Sequence, residues 1–196
     1  MLDAGMHPVP AGHTAAVVTH LEMRAEARQR PEPDLPLALR RVESPGRDWY
    51  LSLFRAVGRD WLWFGRLEME PAALSALLAD PDLHVHVVMN EEREVGLLEL
   101  DFRNPGACEL AYFGLVPHEV GRGAGRWLMN RAIRLAWAGG IDVFHVHTCT
   151  LDHPGALDFY RRSGFTPVRR EIEIARDPRL SGLLDVDAAP QVPLLK

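Results

Sequence analysis

Lysine is almost missing from this chain. Of 22 lysine and arginine residues only Lys196 is a lysine, so the positive charge is carried by arginine and any modification of a lysine amine is confined to the C-terminus. Cysteine is nearly as scarce. Cys108 and Cys149 form no C-x-x-C pair, which excludes a disulfide framework and a thiolate metal clamp and reads as two reduced thiols in a cytoplasmic protein. No run approaches the roughly 20 apolar residues a bilayer span needs, so no membrane partner is expected. The opening Met-Leu-Asp-Ala-Gly-Met-His-Pro lacks the basic start and apolar stretch of a secretory signal. A formal charge of −5 argues against nucleic acid as a partner. What is present is 196 residues, 47% of them hydrophobic, which suffices for one substantial core.

Glycine, by contrast, is concentrated where it can act. Residues 108–116 read as an apolar strand that runs through Pro117 into Gly121-Arg122-Gly123-Ala124-Gly125-Arg126, and a helix opens directly onto this turn. Alternating glycines reach backbone angles closed to other residues and place no Cβ between the main chain and a ligand, so several N–H groups can converge on an anion. The helix start adds unpaired N–H groups and the positive end of its dipole. A tight strand-to-helix turn with no ligand would use the same residues. A dinucleotide fingerprint fails, because its third glycine falls on Arg126. A nucleoside triphosphate loop fails too, since Arg126 and Trp127 follow Gly125 where Lys and Ser or Thr are required.

The rest of the chain divides by its periodicity. Residues 1–12 read as a loose arm, 13–175 as one domain and 176–196 as a C-terminal tail. Strands are expected at 15–23 and 37–42, helices at 47–57 and 71–79, and a meander of strands at 83–89, 95–102 and 108–116. The proline-rich stretch 24–36 reads as a linker or long loop. A helix over 124–138, closed by Gly139-Gly140, carries Leu128, Ala132, Leu135 and Ala136 on one face and Arg126, Asn130 and Arg134 on the other. A strand at 142–150, a short helix at 154–163 and a last strand at 166–175 complete an α+β layer. Its sheet is mostly antiparallel, has helices on both faces, and contains one parallel pair where the long helix crosses over. Neighbouring parallel strands that run into separate helices splay apart, leaving unpaired backbone groups at the gap.

Two segments carry a family likeness. Leu115-x-Pro117-x-x-Val120-Gly121-Arg122-Gly123-Ala124-Gly125 resembles the coenzyme A pyrophosphate loop of the GNAT superfamily of acyl-CoA-dependent N-acyltransferases, written R/Q-x-x-G-x-G/A after a strand that ends in an apolar residue, x and Pro. Val120 takes the place of the usual Arg or Gln, and Arg122 or Arg126 is positioned to replace it. His153-Pro154-Gly155-Ala156-Leu157-Asp158-Phe159-Tyr160-Arg161-Arg162-Ser163-Gly164-Phe165 resembles the second coenzyme A segment, N-x-x-A-x-x-x-Y-x-x-x-G-F, with His153 for Asn. Together they cover about residues 95–170.

The resemblance implies an N-acetyltransferase that uses acetyl-CoA as co-substrate and no metal. Its acceptor would be a small-molecule or peptide amine, attacked directly in a ternary complex, and a homodimer is compatible with it. It places coenzyme contacts at Leu115, Val116, Val120, Gly121, Arg122, Gly123, Ala124, Gly125, Arg126, His153, Ala156 and Tyr160. The pantetheine arm would lie between 112–116 and 144–150, with the thioester carbonyl near the Leu115 N–H. A non-catalytic acyl-CoA-binding or regulatory module of the same fold is the alternative, and a protein-interaction role for the 183–195 tail is a third reading.

Among side chains with chemistry, Tyr160 fits a proton donor to the departing thiolate, although an aromatic on the inner face of a short helix also packs. An amine acceptor must shed a proton, and Glu109 and Glu99 sit in apolar runs where desolvation would raise a carboxyl pKa. Either could instead face solvent at a strand end. His84 with His86 and His145 with His147 share faces by alternation but lack acidic or thiol companions, so core or rim placement is expected, with His147 as an alternative base. Cys149 has no recognisable His–Asx relay and reads as a small buried residue. Trp49, Tyr50, Phe54, Trp61, Trp63 and Phe64 would cover the acceptor side of a cleft, chiefly as packing; an aromatic wall there would favour a hydrophobic or arylalkyl amine.

Overall fold

The computed structural model describes residues 3–196, so the first two residues of the expected arm lie outside it. Seven strands are found in the described residues: β1 His13–Met23, β2 Leu37–Val42, β3 Leu83–Asn90, β4 Arg93–Asp101, β5 Ala107–Leu115, β6 Val143–Cys149 and β7 Thr166–Arg176. The helices are α1 Arg47–Gly58, α2 Pro71–Leu78, α3 Ala124–Ala138 and α4 Ala156–Arg162, with 3-10 turns at Arg59–Trp61 and Pro117–Glu119. Local chemistry explains their bounds. Pro71 opens α2, where its missing N–H costs nothing, and Gly140, at φ +70°, follows the end of α3.

The strands form one sheet in the order β2-β3-β4-β5-β6-β1-β7. Every neighbouring pair is antiparallel except β5 and β6. That parallel pair is short: its register runs from Ala107 opposite Val143 to Glu109 opposite His145, and the two strands then part. A bulge marks the same place. Glu99 opposes Tyr112 while Leu100 opposes Leu110, which leaves Ala111 as the extra residue of β5 and bends the strand away. β1 pairs with the other edge of β6, with Val18 opposite Cys149 and His20 opposite His147.

Helices α1 and α2 cover one face, where Phe54 meets Tyr112 edge-on at 4.7 Å. Helices α3 and α4 cover the other, where Phe113 lies 5.8 Å from Phe159. The core between them includes Leu97, Leu98, Leu100, Leu128 and Phe144, all without solvent exposure. Asn130, expected on the polar face of α3, is instead only 4% exposed. The proline-rich segment 24–36 causes this by lying along α3: Asn130 Nδ2 donates to the Arg30 carbonyl at 2.8 Å and to Glu32 Oε2 at 2.6 Å. Leu135, expected on the apolar face, is partly exposed.

The C-terminal residues carry no helix or strand after β7 yet pack against the body. Arg179 is buried and donates to Asp177 and to the carbonyls of Ala188, Ala189 and Val192. Gln191 Nε2 donates to the Asp60 carbonyl at 2.6 Å, and Arg59 pairs with Asp187 at 2.7 Å. The tail therefore clasps the 3-10 turn that carries Trp61. Among the described residues no helix is long and apolar enough to cross a membrane.

Candidate active site

A cavity of about 700 Å³ passes through the sheet where β5 and β6 part. Its α3/α4 side is lined by the glycine turn, Phe159 and Tyr160, and its α1 side by Trp61, Trp63, Tyr112 and His147. Trp61 and His153 meet at 5.4 Å across the mouth.

The glycine turn has the conformation its sequence suggests. Gly121 and Gly123 hold φ of +89° and +87°, in the left-handed region that favours glycine. Among the described residues the N–H groups of residues 121–125 donate to no protein acceptor, while those of Arg126 and Trp127 both reach the Gly123 carbonyl. Such a set of free donors at a helix start has the geometry that suits an anion. A Cβ on Gly123 would fall 2.6 Å from Pro33 Cγ, so the 24–36 segment packs directly on the turn. That segment also supplies a cation that the motifs do not contain: Arg30 lines the cavity beside Arg126 and Arg162. Arg126 itself donates to the Pro31 carbonyl at 2.6 Å.

Of the expected coenzyme contacts, Leu115, Val120, Gly121, Gly123, Gly125, Arg126, His153, Ala156 and Tyr160 line the cavity. Val116, Arg122 and Ala124 do not. Val116 and Ala124 are buried in the core, and Arg122 points to solvent. The Val116 N–H donates to the Val95 carbonyl and Leu115 opposes Gly96, so by the alternation of an antiparallel ladder the N–H of Leu115 faces away from β4, toward the gap.

Tyr160 stands at the waist of the cavity, 8% exposed, with its hydroxyl free of protein partners among the described residues. Burial first, and the nearby Asp152 carboxylate second, push its phenol well above the ordinary range and keep it protonated. Asp152 is engaged by the Thr148 hydroxyl at 2.6 Å and the Cys149 N–H at 2.9 Å. Cys149 also lines the cavity, and burial pushes its thiol up to about 11.

On the α1 side His147 Nδ1 lies 3.3 Å from Glu109 Oε1. This close pairing holds the Glu109 carboxyl below its usual value and raises the imidazole above its own. Glu99 is elsewhere. It is fully buried beneath the cavity, paired with Arg66 and accepting from the Tyr50 hydroxyl at 2.5 Å. That network fixes the floor, with the Arg66 guanidinium 5.1 Å from the Tyr112 ring centroid. The aromatic cluster divides likewise: Tyr50 and Phe54 are core, Trp61, Trp63 and Phe64 line the cavity, and Trp49 donates to Glu94 at the surface. His86 is buried, and desolvation lowers it to about 4. Among the described residues no three His, Cys, Asp or Glu side chains converge as metal ligands would.

Through-sheet cavity, anion cradle and buried tyrosine together define a GNAT-type acetyltransferase fold. The Acetyltransferase (GNAT) family profile matches residues 47–165, more than half of the chain, and the chain belongs to that family. No curated protein matches it by sequence. A GCN5-related N-acetyltransferase from Sphaerobacter thermophilus superposes with a TM-score of 0.59 at 18% identity, over 84% of this chain and 53% of its own. A conserved protein of unknown function from Staphylococcus epidermidis superposes at 0.56 with 15% identity, over 85% and 63%. The chain thus spans less than two thirds of either structure, and at these identities the likeness is one of fold. An aminoglycoside acetyltransferase from an uncultured soil metagenome reaches 0.50 at 20% identity, over 65% and 87%.

Proposed function

We propose that this protein is an N-acetyltransferase that moves an acetyl group from acetyl-CoA to a primary amine within one ternary complex. The observation that carries this reading is the order of groups along a single cavity: free N–H donors at one end, a protonated tyrosine at the waist, and at the other His147, backed by the Glu109 carboxylate.

The residues fit the coenzyme. Five unpaired backbone N–H groups and three arginines suit a diphosphate, and the exposed β5 edge offers main-chain partners to an amide-bearing arm. Acetyl-CoA brings an acyl group activated as a thioester. The Leu115 N–H is placed to stabilise negative charge on its carbonyl oxygen. His147, oriented by Glu109, takes the proton that the amine must lose, and Tyr160 gives its proton to the departing sulfur. Glu99, neutralised by Arg66, acts on the shape of the site. A covalent route through Cys149 is disfavoured by its raised pKa, since the thiolate is the nucleophile.

Free-thiol release from acetyl-CoA, measured over a panel of arylalkylamines, polyamines, amino acids, aminoglycosides and peptide N-termini, tests the reading. Amine-dependent release is expected. Coenzyme binding with no release from any amine would favour the acyl-CoA-binding module.

A further inference from the structure

The cavity is electrically divided by the sheet it crosses. Its lining cations, Arg30, Arg126 and Arg162, belong to the α3/α4 side, respectively on the segment bound to Asn130, on α3 and on α4. Beyond the sheet the balance reverses. Glu173 of β7 lines the cavity and, among the described residues, makes no hydrogen bond or ion pair. Register fixes its side: Ala16 opposes Glu173, Val18 opposes Cys149 and His20 opposes His147, so by strand alternation Glu173 shares a face with His147. Its charge also reaches the site, contributing to the raised pKa values of both His147 and Tyr112. Glu109 adds a second carboxylate on that face, while Asp152 is already engaged. The same cavity is lined by the half-buried aromatic side chains of Trp61, Trp63 and Phe64.

We propose that Glu173 is a specificity residue of the acceptor site, which selects an amine with an aryl or alkyl body and no carboxylate. The ammonium is attracted by Glu173 and the aromatic faces, and the apolar body covers Trp61 and Trp63. An α-amino acid brings a carboxylate two bonds from its nitrogen, into the field of Glu173, which is exposed at the cavity rim, and of Glu109, and like charges there repel. In the reaction the ammonium gives one proton to His147 and its nitrogen forms the C–N bond. The C–S bond breaks and the sulfur takes the Tyr160 proton; the new amide nitrogen loses its surplus proton to solvent, which also restores both side chains. This inference rests on the N-acetyltransferase reading.

The test compares kcat/KM for phenethylamine with that for L-phenylalanine, and tyramine with L-tyrosine, in the wild type, Glu173→Gln and Glu173→Arg. The wild type is expected to prefer each amine over its amino acid by about 100-fold, and Glu173→Gln to narrow that ratio by about tenfold, mainly by raising KM for the amine. Glu173→Arg should shift the preference toward the amino acid. Unchanged Tm and coenzyme affinity in both variants would show that only the acceptor end was altered. Equal use of amine and amino acid by the wild type, a ratio indifferent to Glu173, or a preference for an aminoglycoside over both pairs overturns the proposal. Absence of thiol release with every amine instead overturns the acetyltransferase reading beneath it.

Discussion

Tyr160 and His147 do different work in this account, and substitution should separate them. Tyr160→Phe keeps the ring against Phe113 and Phe165 but removes the proton donor, so kcat should fall by about 10²- to 10⁴-fold with coenzyme affinity nearly unchanged. His147 acts as a base only when neutral. Because Glu109 raises its pKa, kcat/KM should climb with pH and level off above a value higher than 6.5. In Glu109→Gln the imidazole loses its anionic partner, its pKa drops, and that rising limb should move to lower pH in a measured pH–rate profile. A limb that stays in place would remove His147 from the role. Arg66→Ala tests the floor: it strands the fully buried Glu99 carboxylate and should cost about 3–5 kcal/mol in denaturant unfolding. At this scale the sequence pointed to Tyr160 and Glu109 through motif and environment, and it offered Glu99 beside them as the weaker candidate. Both are acids in apolar strands; only the fold reveals that one meets an arginine and the other a histidine at the cavity.

Among elements, the glycine turn is the most exacting. Gly121 and Gly123 share the same left-handed φ, but a Cβ meets open space at Gly121 and Pro33 at Gly123. Each alanine should therefore cost about 1–2 kcal/mol of backbone strain, and Gly123→Ala should lose more, read as a larger fall in Tm together with weaker coenzyme binding. Helices and strands were legible to within about two residues because α3, α1 and the β3–β5 meander show clean periodicity with glycine or proline at their ends. The role of segment 24–36 was not legible. Its prolines announce a loop, and nothing local says that the loop runs along α3, buries Asn130 and brings Arg30 to the cavity beside the glycine turn.

For the molecule as a whole, the family match stops at residue 165, and β7, the C-terminal clasp and the upstream strand β1 all lie outside it. Of these parts, β7 supplies Glu173 to the cavity lining. β1 lies between β6 and β7 and pairs with both, and the tail holds the turn bearing Trp61. Long-range pairing of this kind leaves no trace in periodicity, which is why Glu173 escaped the sequence reading. Arg179→Ala should lower Tm clearly more than Asp187→Ala, since Arg179 is buried against three carbonyls and Asp177 whereas the Arg59–Asp187 pair is exposed.

All of this depends on the coenzyme. Isothermal titration of the purified chain with acetyl-CoA measures it directly: saturable binding at one site per chain is expected, markedly weakened by Gly123→Ala and retained by Tyr160→Phe. Absence of binding heat from acetyl-CoA and from free coenzyme A across temperatures, with the protein folded, would contradict the account.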